Sequence, residues 1–153
     1  MTRAIASLFG AGFLRPGPGT WGSIAALVPG AALLALAGPL AVAAGAVLLT
    51  ALGVWATTRE LARTNDADPQ WIVIDEAAGM WVALAGLSAF GWAGVLAAFA
   101  LFRLFDIAKP GPVGWADRQD GATGVMLDDL IAGALAALVL VALAFVLPTE
   151  WFP

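Results

Sequence analysis

The sequence contains no cysteine and no histidine among its 153 residues. Without cysteine there can be no disulfide, no thiolate nucleophile and no zinc–thiolate site. Without histidine there is no phosphohistidine intermediate, no imidazole base and no histidine-held metal. Charge is scarce as well: 12% of residues are Asp, Glu, Lys or Arg, against about 25% in a soluble domain. A net charge of −4 and a pI near 4.4 argue against nucleic acid as a partner. What remains for chemistry is carboxylates, a few guanidinium and ammonium groups, and hydroxyls.

What is abundant is apolar. Hydrophobic residues make up 61% of the chain and mean hydropathy is +0.92. Three runs carry no charge at all: 43 residues from Pro16 to Thr58, 26 from Ala77 to Phe102, and 20 from Leu130 to Thr149. A helix needs roughly 20 apolar residues to span a bilayer core. The first run suffices for two crossings, broken at Gly38-Pro39, and the last for one. The length is that of one domain, so residues 1–153 are expected to form a single membrane-embedded domain, an all-α polytopic helical bundle in the bilayer. No cleavable leader is expected, because the first run is too long and Gly/Pro-rich sequence precedes it.

Local signals place the elements. Gly10 to Ser23 holds five Gly and two Pro and reads as a loop, followed by a helix from about Trp21 to Ala37, with a kink expected at Pro29-Gly30. A second helix is expected from Pro39 to about Arg63. Asp68-Pro69 reads as an N-cap with proline at the first helical position, so the next helix is expected near residue 69. Gly91 interrupts the middle run, Pro110-Gly-Pro112 ends the helix after it, and a last helix is expected over 130–147.

The middle run decides the topology. A single crossing over 77–102 gives four transmembrane helices and divides the basic residues between two sides. A hairpin turning at Gly91 gives five, and puts Arg3, Arg15, Arg59, Arg63, Arg103, Lys109 and Arg118 all on one side. Lys and Arg concentrate in short cytoplasmic loops, so five crossings are favoured over four. The hairpin also brings Asp75, 16 residues before Gly91, level with Asp106, 15 residues after it, and Asp128-Asp129 reach the same depth.

Four segments could carry chemistry. Asp75-Glu76 enter an apolar helix, costly unless paired or metal-bound; the bland alternative is a charged helix end favoured by the helix dipole. Arg103, Asp106 and Lys109 recur every three residues on one helical stripe, two cations flanking an anion, which suits a phosphate beside a metal or a surface ion-pair ladder. Asp128-Asp129 are hard-cation ligands by type, and capping explains one of them but not both. Thr20 and Ser23 end the Gly/Pro loop, whose backbone N–H groups at a helix start could hold an anion or simply cap the helix.

Together the segments resemble one family. Gly19-Thr-Trp-Gly-Ser23, Ile72-Val-Ile-Asp-Glu-Ala-Ala-Gly79, Phe102-Arg-Leu-Phe-Asp-Ile-Ala-Lys-Pro110 and Asp117-Arg-Gln-Asp-Gly-Ala-Thr-Gly-Val-Met-Leu-Asp-Asp129, followed by Ala132-Gly133, look like the motifs of phosphatidylglycerophosphatase A, in order across residues 9 to 133. The resemblance implies a Mg²⁺-dependent membrane enzyme that hydrolyses the terminal phosphate of phosphatidylglycerophosphate to give phosphatidylglycerol, in the bacterial inner membrane with its site facing the cytoplasm. It implies Glu76, Asp106, Asp128 and Asp129 as metal ligands and Asp75 as ligand, general base or nucleophile. Arg103, Lys109 and Arg118, with Thr20 and Ser23, would contact the substrate phosphate. Oligomeric state, metal count and acyl-chain preference stay open.

Two alternatives fit parts of the pattern. Asp117-Arg-Gln-Asp-Gly121 imitates the start of a CDP-alcohol phosphotransferase motif, but the following Ala-Arg and the later aspartate spacing are absent. A small transporter or channel component would place its acids deep in the spans, whereas these lie at span ends.

Overall fold

A computed structural model describes residues 1–64, 66 and 69–146. All regular structure among them is helical: α1 (Thr2–Ala6), a 3₁₀ turn (Ala11–Phe13), α2 (Pro18–Leu61), α3 (Ile74–Leu84), α4 (Trp92–Ala108), α5 (Pro112–Ala116) and α6 (Gly121–Val146).

The 44 residues of α2 form a helical hairpin. Its one interior residue with non-helical angles is Gly38, at φ 78° and ψ 179°, a conformation that essentially only glycine adopts. Pro39 follows, pre-set for a first helical position. The fold-back is visible in the packing. Gly30 and Gly45 both press on the Trp81 indole, and Gly22 and Gly53 meet the adjacent Val73 and Ile74. Both pairs straddle Gly38 symmetrically, so the arms 18–37 and 39–61 run antiparallel against α3. Pro29-Gly30 keeps helical backbone angles, with Gly30 sealed against Leu84 and Trp81.

Several boundaries differ from the sequence reading. The expected loop 10–23 contains the 3₁₀ turn, and α2 already begins at Pro18. The third helix begins at Ile74 rather than near 69, because the Val73 N–H is drawn to the Ala6 carbonyl at 2.8 Å. Asp68 and its expected cap lie outside the described residues. α3 is 11 residues long and stops well before Gly91. The chain then turns with Gly86 against the Ala137 backbone of α6. The last helix starts at Gly121, not at Leu130. Gly121 takes a left-handed φ of 75° that turns the chain sharply into it, and no proline opposes the helix beyond. Leu147, its expected end, lies outside the described residues.

Two helices, α2 and α6, are long and apolar enough to cross a membrane, by length and composition. α3, at about 16 Å, falls well short of a bilayer core of about 30 Å. Large apolar side chains such as Leu36, Leu40, Val47, Leu138 and Phe145 point outward, while the core mixes alanines with larger side chains such as Met80, Leu84 and Phe102 and glycines stand at the closest helix contacts. This distribution is compatible with a lipid-facing exterior, where packing between helices relies on small residues.

The contact that matters most for the site is between α3 and α6. A Cβ on Gly133 would lie 2.2 Å from the Gly79 carbonyl oxygen, and one on Gly79 would lie 2.5 Å from the Asp129 carbonyl oxygen. Backbone meets backbone there. Asp75 lies one helical turn before Gly79, and Asp129 one turn before Gly133, so the glycine contact sets the two carboxylates side by side.

Candidate active site

A cavity of about 590 Å³ opens at the end of the bundle where α2, α3 and α6 begin and α4 ends. It is lined by Asp75, Glu76, Asp106, Asp128 and Asp129, together with Arg15, Arg103, Lys109 and Arg118. Three acidic segments far apart in sequence therefore converge.

The carboxylates form two triads, Asp75–Glu76–Asp129 and Asp106–Asp128–Asp129, each with one oxygen per residue within 4.8 Å of the others. Asp129 belongs to both. It is 3% exposed, and Asp75 is 8% exposed, so neither can shed its charge into bulk water. The Glu76 N–H donates to Asp75 Oδ1 at 3.0 Å. Yet Asp129 Oδ1 and Glu76 Oε2 are buried with no hydrogen-bond partner. A buried carboxylate oxygen left bare is expensive unless something outside the chain satisfies it. Clustered hard oxygens of this kind suit a divalent cation such as Mg²⁺.

Glu76 needs Gly19 to be where it is. A Cβ at position 19 would fall 2.2 Å from Glu76 Oε1 and 3.4 Å from Arg103 Nη1. Gly17, Pro18 and Gly19 line the cavity, so the start of α2 faces it.

The basic residues divide into two kinds. Arg103 is ion-paired with Asp106 through Nη1, and its Nη2 donates to Thr20 Oγ1 at 3.3 Å. Nη1 also reaches Ser23 Oγ at 3.5 Å. Thr20 and Ser23 do not line the cavity; Ser23 Oγ donates to the Gly19 carbonyl at 2.8 Å. Both hydroxyls, expected on the substrate phosphate, instead hold the guanidinium. Lys109 leaves the expected stripe: it sits past the end of α4 at φ 45°, which swings its ammonium to Asp117 and to Asp128 Oδ2, the latter at 2.9 Å. Partial burial alone would lower the Lys109 pKa, but the hydrogen bonds to Asp117 and Asp128 outweigh it and raise the pKa above the ordinary lysine value. Arg118 reaches the cavity as expected.

A model of the family described as phosphatidylglycerophosphatase A matches residues 4–144. The chain belongs to that family. It is 38% identical over 138 residues to phosphatidylglycerophosphatase A of Haemophilus influenzae, covering 90% of this chain and 85% of the relative. With the enzyme of the same name from Escherichia coli K12 it shares 35% over 130 residues, covering 84% of this chain and 75% of the relative. A Bacteroides thetaiotaomicron protein provisionally named phosphatidylinositol-3-phosphatase is 39% identical over 143 residues, at 89% and 88% coverage. No solved structure matches. Membership makes the chain a phosphatase, so neither the phosphotransferase nor the transporter alternative stands.

The sequence reading missed Arg15 and Gln70, which also line the cavity. Arg15 is the one charge in the Gly/Pro loop, which was the available signal. Gln70 had none.

Proposed function

We propose that this protein hydrolyses the terminal phosphate of phosphatidylglycerophosphate, releasing phosphatidylglycerol and inorganic phosphate at a membrane surface with Mg²⁺ as cofactor. The observation that carries the reading is Asp129: a buried carboxylate shared by two triads, with a bare oxygen, in a chain of this family. Glu76, Asp106, Asp128 and Asp129 would hold the metal. When bound there, a divalent cation supplies charge neutralisation to phosphate oxygens.

The chain's own residues do the rest. Arg103, fixed by Asp106, Thr20 and Ser23, presents a rigid guanidinium to phosphate oxygens, the geometry for which arginine is suited. Lys109 and Arg118 add positive charge at the same wall. Asp75, flanked by Glu76 and Asp129, takes the proton of the attacking water. The water oxygen bonds to phosphorus, the phosphorus–oxygen ester bond breaks, and the proton held by Asp75 passes to the leaving oxygen to give the lipid hydroxyl.

The test is phosphate release from phosphatidylglycerophosphate in detergent micelles, with phosphatidic acid and phosphatidylinositol 3-phosphate assayed in parallel. Release should be fastest from phosphatidylglycerophosphate, require Mg²⁺ and stop with chelator. Release from only one of the other two lipids would reassign the headgroup.

For topology, both arms of α2 and α6 are read as full crossings. The α3–α4 hairpin begins and ends on the cytoplasmic side of a bacterial inner membrane, which puts all seven cations there. Because the chain has no cysteine, single cysteines at positions 115 and 38 can be labelled from either side. They should react from opposite sides, 115 from the cytoplasm; labelling of both from the same side would overturn the arrangement.

A further inference from the structure

Four cations line the cavity, but they are not equally available. Arg103 is committed to Asp106, and Lys109 to Asp117 and Asp128. Among the described residues Arg15 and Arg118 form no ion pair. Arg118 lies beyond α5, on the wall that carries Lys109. Arg15 comes from a different wall, made by the loop before α2 and the segment before α3.

Its place there is built. Gly12 is pressed onto the Trp71 backbone so closely that a Cβ would lie 2.0 Å from the Trp71 carbonyl oxygen. That contact brings residues 12–15 alongside 70–71, and Arg15 Nη1 donates to Gln70 Oε1 at 3.0 Å. On the other flank the Trp21 indole N–H donates to the Pro16 carbonyl at 3.1 Å, tying the residue after Arg15 to α2. The guanidinium lines the cavity with Nη1 on Gln70, and the backbone on either side of Arg15 is held by Trp71 and Trp21.

Exposed apolar side chains flank Arg15 in the chain. Phe13 and Leu14 are each 48% exposed and Trp21 40% exposed, forming a greasy rim beside it. Such aromatic and aliphatic side chains favour the lipid–water interface. A lipid whose acyl chains lie at that rim presents first the phosphate nearest its glycerol backbone. The proposed substrate carries two phosphates, an internal diester next to the acyl chains and a terminal monoester beyond. The cavity, at about 590 Å³, is larger than one phosphate group fills.

Resting on the proposed lipid phosphatase reading, we infer that Arg15, oriented by Gln70, binds the internal phosphodiester of the lipid headgroup while Arg103 and the residues that would hold the cation receive the terminal phosphate. Arg15 is thus a specificity residue that distinguishes a two-phosphate lipid headgroup from a lone phosphomonoester.

The two products separate the two subsites. Phosphatidylglycerol retains only the diester, and inorganic phosphate only the group that was terminal. Product inhibition of phosphatidylglycerophosphate hydrolysis is measured for wild type, Arg15→Ala and Arg15→Lys, at fixed Mg²⁺ and fixed surface fraction of lipid in the micelle. Arg15→Ala should raise the inhibition constant of phosphatidylglycerol by about ten-fold or more, the scale of one charge-assisted hydrogen bond. It should leave that of phosphate unchanged, and Arg15→Lys should recover part of the loss. An increase for phosphate, or no increase for either product, overturns the assignment. An unchanged phosphate constant also shows that the variant's site is folded. Should wild type release no phosphate from phosphatidylglycerophosphate, the proposed function fails first, an outcome distinct from failure of the Arg15 assignment.

Discussion

The acids on α3 and α6 and the charged residues at the end of α4 sit in one cavity but are treated oppositely by the fold. On α4, Asp106 is neutralised by Arg103, which is itself held by two hydroxyls. On α3 and α6, Glu76 and Asp129 each carry a buried oxygen that meets no donor. The first is an ion pair made within the chain; the second leaves two buried oxygens without a hydrogen-bond partner. Burial without compensation opposes stability, so at this junction of two glycine-packed helices the acids form a group that could hold a metal ion. Arg15 differs from Arg103 and Lys109 in having no ion-pair partner among the described residues.

The largest expected effect is at the uncompensated side. Asp129→Asn removes the charge shared by both triads and should lower turnover on the order of 10³-fold or more, the scale of losing a principal electrostatic group. The folded protein should be as stable as wild type or more so without metal, because a buried repulsion is relieved. Phosphate release and a thermal unfolding midpoint in chelator measure the two. A marked fall in that midpoint would mean that Asp129 is already compensated, and the contrast with α4 would collapse.

On the paired side, effects should be graded by distance from substrate. Arg103→Ala should reduce kcat/KM on the order of 10²-fold and leave the Mg²⁺ concentration for half-activity nearly unchanged. Ser23→Ala, which only loosens the same guanidinium, should cost about ten-fold or less, near the value of one hydrogen bond. It should add almost nothing on top of Arg103→Ala, since neighbours acting through one group are non-additive. Full additivity in that double variant would give Ser23 a direct role of its own.

The smallest effect is expected at the lip. Asp117→Asn takes one of two carboxylates from Lys109 and leaves Asp128 in place. An exposed ion pair of this kind is worth about 1 kcal/mol or less, so kcat/KM should change by no more than a few-fold. A larger loss would place Asp117 among the residues that hold the cation or the substrate.

The residues of the acidic wall are legible in the sequence alone. Carboxylates in apolar sequence stand out, because nothing but pairing or a metal makes them tolerable there. Hydropathy likewise marks helices and the Gly38-Pro39 break. The sequence could not say that Thr20 and Ser23 would turn away to grip Arg103, since a hydroxyl near a helix start suits an anion and a guanidinium equally well. Nor could it end α3 at Leu84 or start α6 at Gly121, because helix propensity is a weak local preference that tertiary contacts override. Chain composition by itself determined that this is a helical, apolar protein with a carboxylate chemistry and no cysteine or histidine to share it. Only the tertiary structure decided which acids meet, which cations stay free and that Arg15 faces the cavity. Those outcomes depend on two backbone contacts, Gly79 with Gly133 and Gly12 with Trp71, between segments about 50 to 60 residues apart, a separation that no local pattern encodes.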